Sequence, residues 1–553
     1  MPVFRGRGGR VWLQRRFTPL PVVPLLGLWL IVTIAGLLTR PLLPVDETRY
    51  ASVAWEMWQR GDFLVPYLNG APYDHKPPLL FWLIHLGWGV SGVSEWWPRM
   101  INPLLSLAVL ATTAWLARYL WPGINGVSRY ASWILFGTVF WVGFSTWLQF
   151  DLLLTLCSLL GLTGVAIAWR DGSRGWWLTG LAIGMGILAK GPVVLVHVLP
   201  VALLAPLWMQ NAASGCRWRW YGGVVLSVVT GALIALAWAI PAGQAGGEDY
   251  QQAIFWGQTA GRITDSFDHG RPWWWYLPWL FLLLAPWVLW PGLWNRLRRY
   301  REWDWNAGVR FCLAWLLPAL VILSLISGKQ VKYLLPLIPG LALLLGHWLV
   351  RVQGEGGMIS HSGFIGFQVA VAGIVIALLP SILVEPLWLT GIGPAWGLAL
   401  VFSALIFVIT GRLYQEQTVI LGTIASVLVI SVLHLGVFRA AAPAYDLGQV
   451  SRLIASAQRD GRPVANLRPY HGQYHFLGRL QVPVEYVPEG EALQWAETRP
   501  DGRMLAYYRD WYGQLHGALW SQAYRGGGLA IWETALIRQH PDWLAHPSRE
   551  HDR

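Results

Sequence analysis

The feature that most limits what this chain can become is a succession of apolar runs, each about twenty residues long and parted by short polar connections. A helix needs about 20 apolar residues to cross the hydrocarbon layer, where only helices and closed barrels satisfy their own backbone groups. Such runs lie at about 20–38, 100–120, 130–149, 151–169, 176–189, 191–209, 221–241, 275–294, 309–326, 333–350, 363–383, 394–411 and 418–437, which makes thirteen. The expected fold class is therefore an integral membrane protein, mostly α, with about 13 transmembrane helices. Composition agrees. Of the 553 residues, 55% are hydrophobic and only 13% charged, too apolar for a soluble fold. The 39 tryptophans suit rings placed between lipid and water.

Charge then orients the spans. The first 17 residues carry five arginines and no acid, which places the N-terminus in the cytoplasm. Counting from there, the even-numbered connections hold Arg118 and Arg129, Arg170 and Arg174, Arg217 and Arg219, then Arg296, Arg298, Arg299 and Arg301, and finally Arg351 and Arg412. Every one falls on the inner side. The net charge of +12 thus reflects topology and anionic headgroups; nucleic acid is not indicated. The three cysteines, Cys157, Cys216 and Cys312, lack disulfide or metal spacing and read as small core residues. After the last span, 439–553 turns polar, with short β-like runs at Pro463–Asn466, Val482–Val487, Met504–Tyr508 and Leu529–Trp532. Thirteen spans put this segment outside, as a small α/β domain.

The outer connections carry the chemistry. Directly after the first run comes DETRYASVAWEMWQRGDFLVPYLNGAPYDHKPP, residues 46–78. Tyr50, Val53, Ala54, Met57 and Trp58 fall at helical spacing, with Arg49, Ser52, Glu56 and Gln59 on the other side. That pattern predicts an interfacial helix within a first outer loop spanning 41–98. The run 79–90 is too short to span and reads as a second interfacial piece. Asp46 and Glu47 are candidate catalytic acids, and an acid also suits a helix start. Arg49 and Lys76 are candidate phosphate ligands, because prolines after Lys76 hold its ammonium near the headgroup plane.

Other outer connections add to the same face. Asp151 opens a span, where an acid is unfavourable unless paired or functional. The loop around 257–274 brings Arg262 and Arg271, whose planar forks suit phosphate. It also brings His269, which with His75 could hold a divalent metal; no cofactor is otherwise indicated. Lys190 lies in another outer connection. Lys329, Lys332 and Tyr333 place two bases outside, against the positive-inside trend, and so favour an anionic ligand there.

Nucleotide-binding glycine loops and a GxSxG nucleophile turn are absent. What is present, in order, is DETRYA, YDHKPPL, the span-opening Asp151, HGRPWWWYLPW and SGKQVKYLLPLIP. This series resembles the GT-C glycosyltransferases of the protein O-mannosyltransferase superfamily, in particular the 4-amino-4-deoxy-L-arabinose lipid A transferase group. The resemblance implies a multi-pass inner-membrane enzyme that takes a sugar from undecaprenyl phosphate on the periplasmic face and attaches it to lipid A. It implies a GT-C domain over 1–438 and a periplasmic domain over 439–553. By motif position it makes Asp46 the catalytic acid, Arg49 and Lys76 phosphate ligands and Asp151 a second acid. Tyr73 and Tyr333 then line the same cavity. A related enzyme using another sugar or a protein acceptor, or a transporter of lipid-linked sugars, would share these features.

Overall fold

The computed structural model describes residues 22–124, 126–209, 217–256, 270–298, 304–354, 363–383, 385–414, 417–510, 513 and 515–544. Among them, nine helices are long and apolar enough to cross a membrane: Val22–Thr39, Trp96–Leu120, Phe150–Arg170, Arg217–Gly246, Ala307–Leu325, Val331–Arg351, Gly363–Ile382, Pro394–Leu413 and Thr418–Arg459. Each begins in or beside one of the expected runs. The four remaining runs fold differently. The run at 176–189 is a single 17-residue helix, Arg174–Lys190. The run at 130–149 parts at Gly137 and Thr138 into Val127–Phe136 and Val139–Phe144. The run at 191–209 divides into Val194–Leu203 and Ala205–Trp208, and that at 275–294 into Tyr276–Leu283, Trp287–Leu289 and Pro291–Arg298. Pro206, Pro286 and Pro291 sit at these breaks, where a missing N–H interrupts the helical ladder.

The stretch 46–60 forms one helix, Asp46–Arg60, stopped by Gly61 in the left-handed conformation (φ 66°). Tyr50, Val53, Ala54 and Met57 are buried, as the spacing predicts. Ser52 and Glu56, on the side expected to be wet, are buried as well. The reason is a second layer of protein. Ser52 donates to the Gly472 carbonyl (2.6 Å) and accepts from the Phe476 N–H (3.0 Å). Glu56 accepts from the N–H groups of Asn69 and Gly70, in the turn of a small hairpin pairing Tyr67–Leu68 with Ala71–Pro72. The helix is therefore clamped between membrane spans and the C-terminal segment.

That segment contains a five-stranded sheet. Its order is Glu485–Tyr486, Val464–Asn466, Arg503–Tyr508, Gly527–Glu533, Trp520–Tyr524, parallel at the first two pairings and antiparallel at the last two. Alternation along the strands feeds two cores. Met504, Ala506 and Tyr508 join Trp495 and Ile537 on one side; Leu505 and Tyr507 join Val450 and Ile454 on the other. Four strands overlap the β-like runs read from sequence, and Trp520–Tyr524 completes the sheet. Docking onto the membrane part continues through Trp55 to the Leu480 carbonyl (2.9 Å) and a paired exchange between Asn69 and Val484 (2.8 and 3.0 Å).

Candidate active site

The site rests on a buried polar frame at the end of the first span. Arg99 donates to the carbonyls of Gly36, Leu37 and Arg40, satisfying backbone acceptors that a helix end leaves open. Arg40 in turn pairs with Glu47 at 2.5 Å, both side chains nearly inaccessible. Glu47 also accepts from the N–H groups of Leu43 (2.8 Å) and Leu148 (2.6 Å). With both Arg40 nitrogens this makes four donors, the full capacity of a carboxylate. The start of the Asp46 helix is thereby fixed to the segment leading into the span Phe150–Arg170.

Asp46, one residue earlier, faces elsewhere. Val45 occupies the cap position and no side chain caps this helix, so the carboxylate is not held by its own backbone. It meets Lys332 Nζ at 3.2 Å, Arg49 at 3.2 Å and the Gln149 amide at 3.4 Å. Lys332 also donates to Gln149 Oε1 (3.2 Å), which closes a three-residue ring. Burial lifts the Asp46 carboxyl, but the Lys332 ammonium and then the Arg49 guanidinium outweigh it, so it titrates below its ordinary 3.8. Two residues along from Gln149, Asp151 makes a short ion pair with Lys190. The Lys190 ammonium lies 4.4 Å from the centre of the Tyr333 ring. Lys76 Nζ is 5.8 Å from the ring of Phe150, which also takes Tyr50 edge-on at 4.9 Å. Tyr73 is buried against Phe81 and beside His75. One compact region thus holds two acids, each matched by a lysine from another helix, with Arg49 and Lys76 at its edge.

Comparison with known proteins shows what the chain is similar to. Residues 75–240 match the family described as Dolichyl-phosphate-mannose-protein mannosyltransferase. A relative from Pseudomonas aeruginosa (strain UCBPP-PA14), an undecaprenyl phosphate-alpha-4-amino-4-deoxy-L-arabinose arabinosyl transferase, is 35% identical over 332 residues, 58% of this chain and 57% of the relative. One of the same description from Erwinia tasmaniensis is 32% identical over 358 residues, 63% of this chain and 62% of the relative. The chain thus matches over 57% of the length of the first of these relatives. The crystal structure of ArnT from Cupriavidus metallidurans bound to undecaprenyl phosphate superposes with a TM-score of 0.73 at 18% identity, covering 92% of this chain and 97% of that one. The chain shares the fold of that structure.

Within this shared fold the residues singled out from sequence separate into groups. Asp46, Arg49, Lys332 and, through Lys190, Asp151 and Tyr333 come together, with Lys76 and Tyr73 alongside. Glu47 does not join them. Its carboxylate is saturated and turned into the frame below, a correction to its reading as a catalytic acid. Lys329 is corrected too. It is buried and donates to the carbonyls of Ile326 (2.5 Å) and Arg271 (2.9 Å), stapling two loops whose Gly270 and Gly328 pair as an antiparallel bridge. Arg271 is exposed at that staple. His75 lies 3.6 Å from Asp74, and no three of His, Cys, Asp and Glu converge on a metal position among the described residues. Arg262, His269, Cys216, Arg299, Arg301 and the N-terminal arginines fall outside the described residues.

Two members of this candidate site carried weaker signals in the sequence. Lys190 ends an apolar helix, where a base that is neither paired nor functional is unfavourable, and that is itself a signal. Gln149 is neutral, and only the structure shows it between Asp46 and Lys332.

Proposed function

We propose that this protein transfers a sugar, 4-amino-4-deoxy-L-arabinose, from undecaprenyl phosphate to lipid A at the periplasmic face of the inner membrane. The observation that carries the reading is the Asp46–Lys332–Arg49–Gln149 cluster, an anion kept ionised at the mouth of the spans and ringed by cations. The names of the relatives supply donor and sugar. In this reading the N-terminus is cytoplasmic, thirteen spans cross the membrane, residues 1–438 form the catalytic membrane domain and 439–553 the periplasmic domain.

During transfer the bond from the sugar anomeric carbon to the donor phosphate oxygen breaks and a bond to the acceptor oxygen forms. Charge grows on the departing polyprenyl phosphate. Lys76, Arg49 and an arginine of the 262–271 loop stabilise it at a site shielded from bulk water. Asp46 orients the acceptor. Where the acceptor oxygen carries a proton, Asp46 accepts it; where the acceptor is an ionised phosphate of lipid A, no proton moves. Lys332 and Gln149 hold Asp46 in place, and Lys190 does the same for Asp151.

The test is reconstitution. Purified protein in liposomes with undecaprenyl phosphate-linked aminoarabinose and lipid A should yield lipid A heavier by one sugar in mass spectrometry. Release of sugar to a peptide acceptor alone would favour the protein-acceptor relatives. Movement of the donor across the bilayer without bond cleavage would favour a transporter.

A further inference from the structure

We infer that His471, contributed by the C-terminal segment, is a substrate-binding residue that hydrogen-bonds the donor phosphate beside Arg49. The inference rests on the assignment of Arg49 as a donor-phosphate ligand. Its geometric basis is the way residues 470–476 are seated. Ser52 grips both ends of the turn, through the Gly472 carbonyl and the Phe476 N–H. Ser52 lies three residues after Arg49 in the same helix, so the two are neighbours about 5–6 Å apart at Cβ. Gly472 permits this approach. Its φ is 77°, and a Cβ there would stand 2.4 Å from Leu68 and 3.4 Å from Ser52.

The turn is braced from within as well. The His471 N–H donates to Gln473 Oε1 (2.8 Å), and the Tyr470 hydroxyl bonds both His475 Nδ1 (2.6 Å) and the Tyr474 N–H (3.2 Å). Stacking of Phe476 on Trp88 at 5.4 Å completes the seat. His471 itself is left exposed at the end of this rigid turn. Partial desolvation of the ring and then the charges of Arg49 and His75 hold its imidazole below the ordinary range, which places the ring within electrostatic reach of both. A neutral imidazole retains one N–H, enough to donate to a phosphate oxygen. The soluble part of the chain then supplies a wall of the membrane-embedded site, beyond acting as a cover.

The experiment uses the full-length protein in nanodiscs and compares wild type, His471→Ala and His471→Gln. Binding of undecaprenyl phosphate and the steady-state constants for transfer are both measured. His471→Ala should raise the donor KM and Kd roughly ten-fold, the scale of one hydrogen bond to a charged group, with kcat changed less than about two-fold. His471→Gln, which keeps an N–H donor, should recover most of that loss. Wild-type KM and Kd in His471→Ala would overturn the inference. So would a loss confined to kcat, or one that Gln fails to relieve while the domain becomes more protease-sensitive. If the wild-type protein does not bind undecaprenyl phosphate, the donor assignment fails and this inference falls with it.

Discussion

The Lys332 ammonium lies 3.2 Å from the Asp46 carboxylate, across 286 residues of sequence. Burial alone would favour the neutral acid; the two cations reverse this. Because its folded pKa is depressed, the contribution of the Asp46 charge is present above the ordinary 3.8 and is lost as pH falls through the lower folded value. The acid limb that Asp46 gives to transfer in the wild type should accordingly lie below that of an ordinary aspartate. Lys332→Met leaves burial opposed mainly by Arg49, so the acid limb of kcat/KM should move to higher pH. A pH–rate profile that stays in place would disconnect Lys332 from the state of Asp46.

Lys76 offers a test of charge stabilisation. Removing one donor to a developing anion typically costs about 10²–10³ in rate. Lys76→Ala should show a loss of that order in donor turnover while remaining folded, since its ammonium is only partly buried against Phe150. Turnover near wild type would return Lys76 to the role of a lysine reaching for the headgroup layer.

Docking of the C-terminal segment should depend on pH. His475 is buried beside Glu56 (3.7 Å), and burial holds its imidazole down at about 4, against an ordinary 6.5. A folded state that keeps this histidine neutral loses stability as pH falls from about 6.5 towards 4, because the unfolded or undocked chain binds the proton first. The nearby Glu56 carboxylate offsets part of that loss. Hydrogen-exchange protection factors at 470–484, with the intrinsic pH dependence of exchange divided out, should fall as pH is lowered across this window, and His475→Gln should flatten the dependence. Protection factors that stay level from pH 7 to 4 would contradict it.

Topology follows from the arginine pattern. A cysteine placed at Arg298 and another at Gly527 should react with a membrane-impermeant reagent from opposite sides. Labelling from one side would refute the proposed thirteen spans.

Much of this was legible in the amino-acid order because membranes leave few options. Apolar runs announce helices, and Asp46, Lys76, Asp151 and Lys332 stand out as ions where ions are unfavourable. What sequence could not convey was direction around a helix. Asp46 and Glu47 differ by about 100° of rotation, and only the neighbours Arg40, Leu148 and Lys332 decide which one enters the site. Lys329 and Lys332 are parted in the same way, one turned to backbone carbonyls and the other to Asp46. Ser52 and Glu56 read as wet because their cover comes from about 420 residues downstream or from a hairpin turn. The Trp- and Pro-rich run at 275–294 reads as a span by composition, yet its prolines divide the helix.

That separation of Asp46 from Glu47 sets the sharpest prediction. Asp46→Asn keeps shape and size and removes the charge. Since no side chain caps this helix, the change touches no capping bond. Asp46 is also partly solvent-exposed, so Lys332 and Arg49 can recruit water when it is neutralised. The variant should fold, bind the donor and barely transfer. Glu47→Gln acts one residue away with the opposite pattern. It leaves the buried Arg40 without its counter-charge, and breaking one side of a buried ion pair typically costs about 3–5 kcal/mol. It should reduce expression and melting temperature, while whatever fraction folds keeps its rate per active molecule. Active-site titration with thermal unfolding in the same detergent separates the two losses. If Asp46→Asn transfers at near wild-type rate and Glu47→Gln is stable but inactive, the catalytic carboxylate has been assigned to the wrong member of the pair.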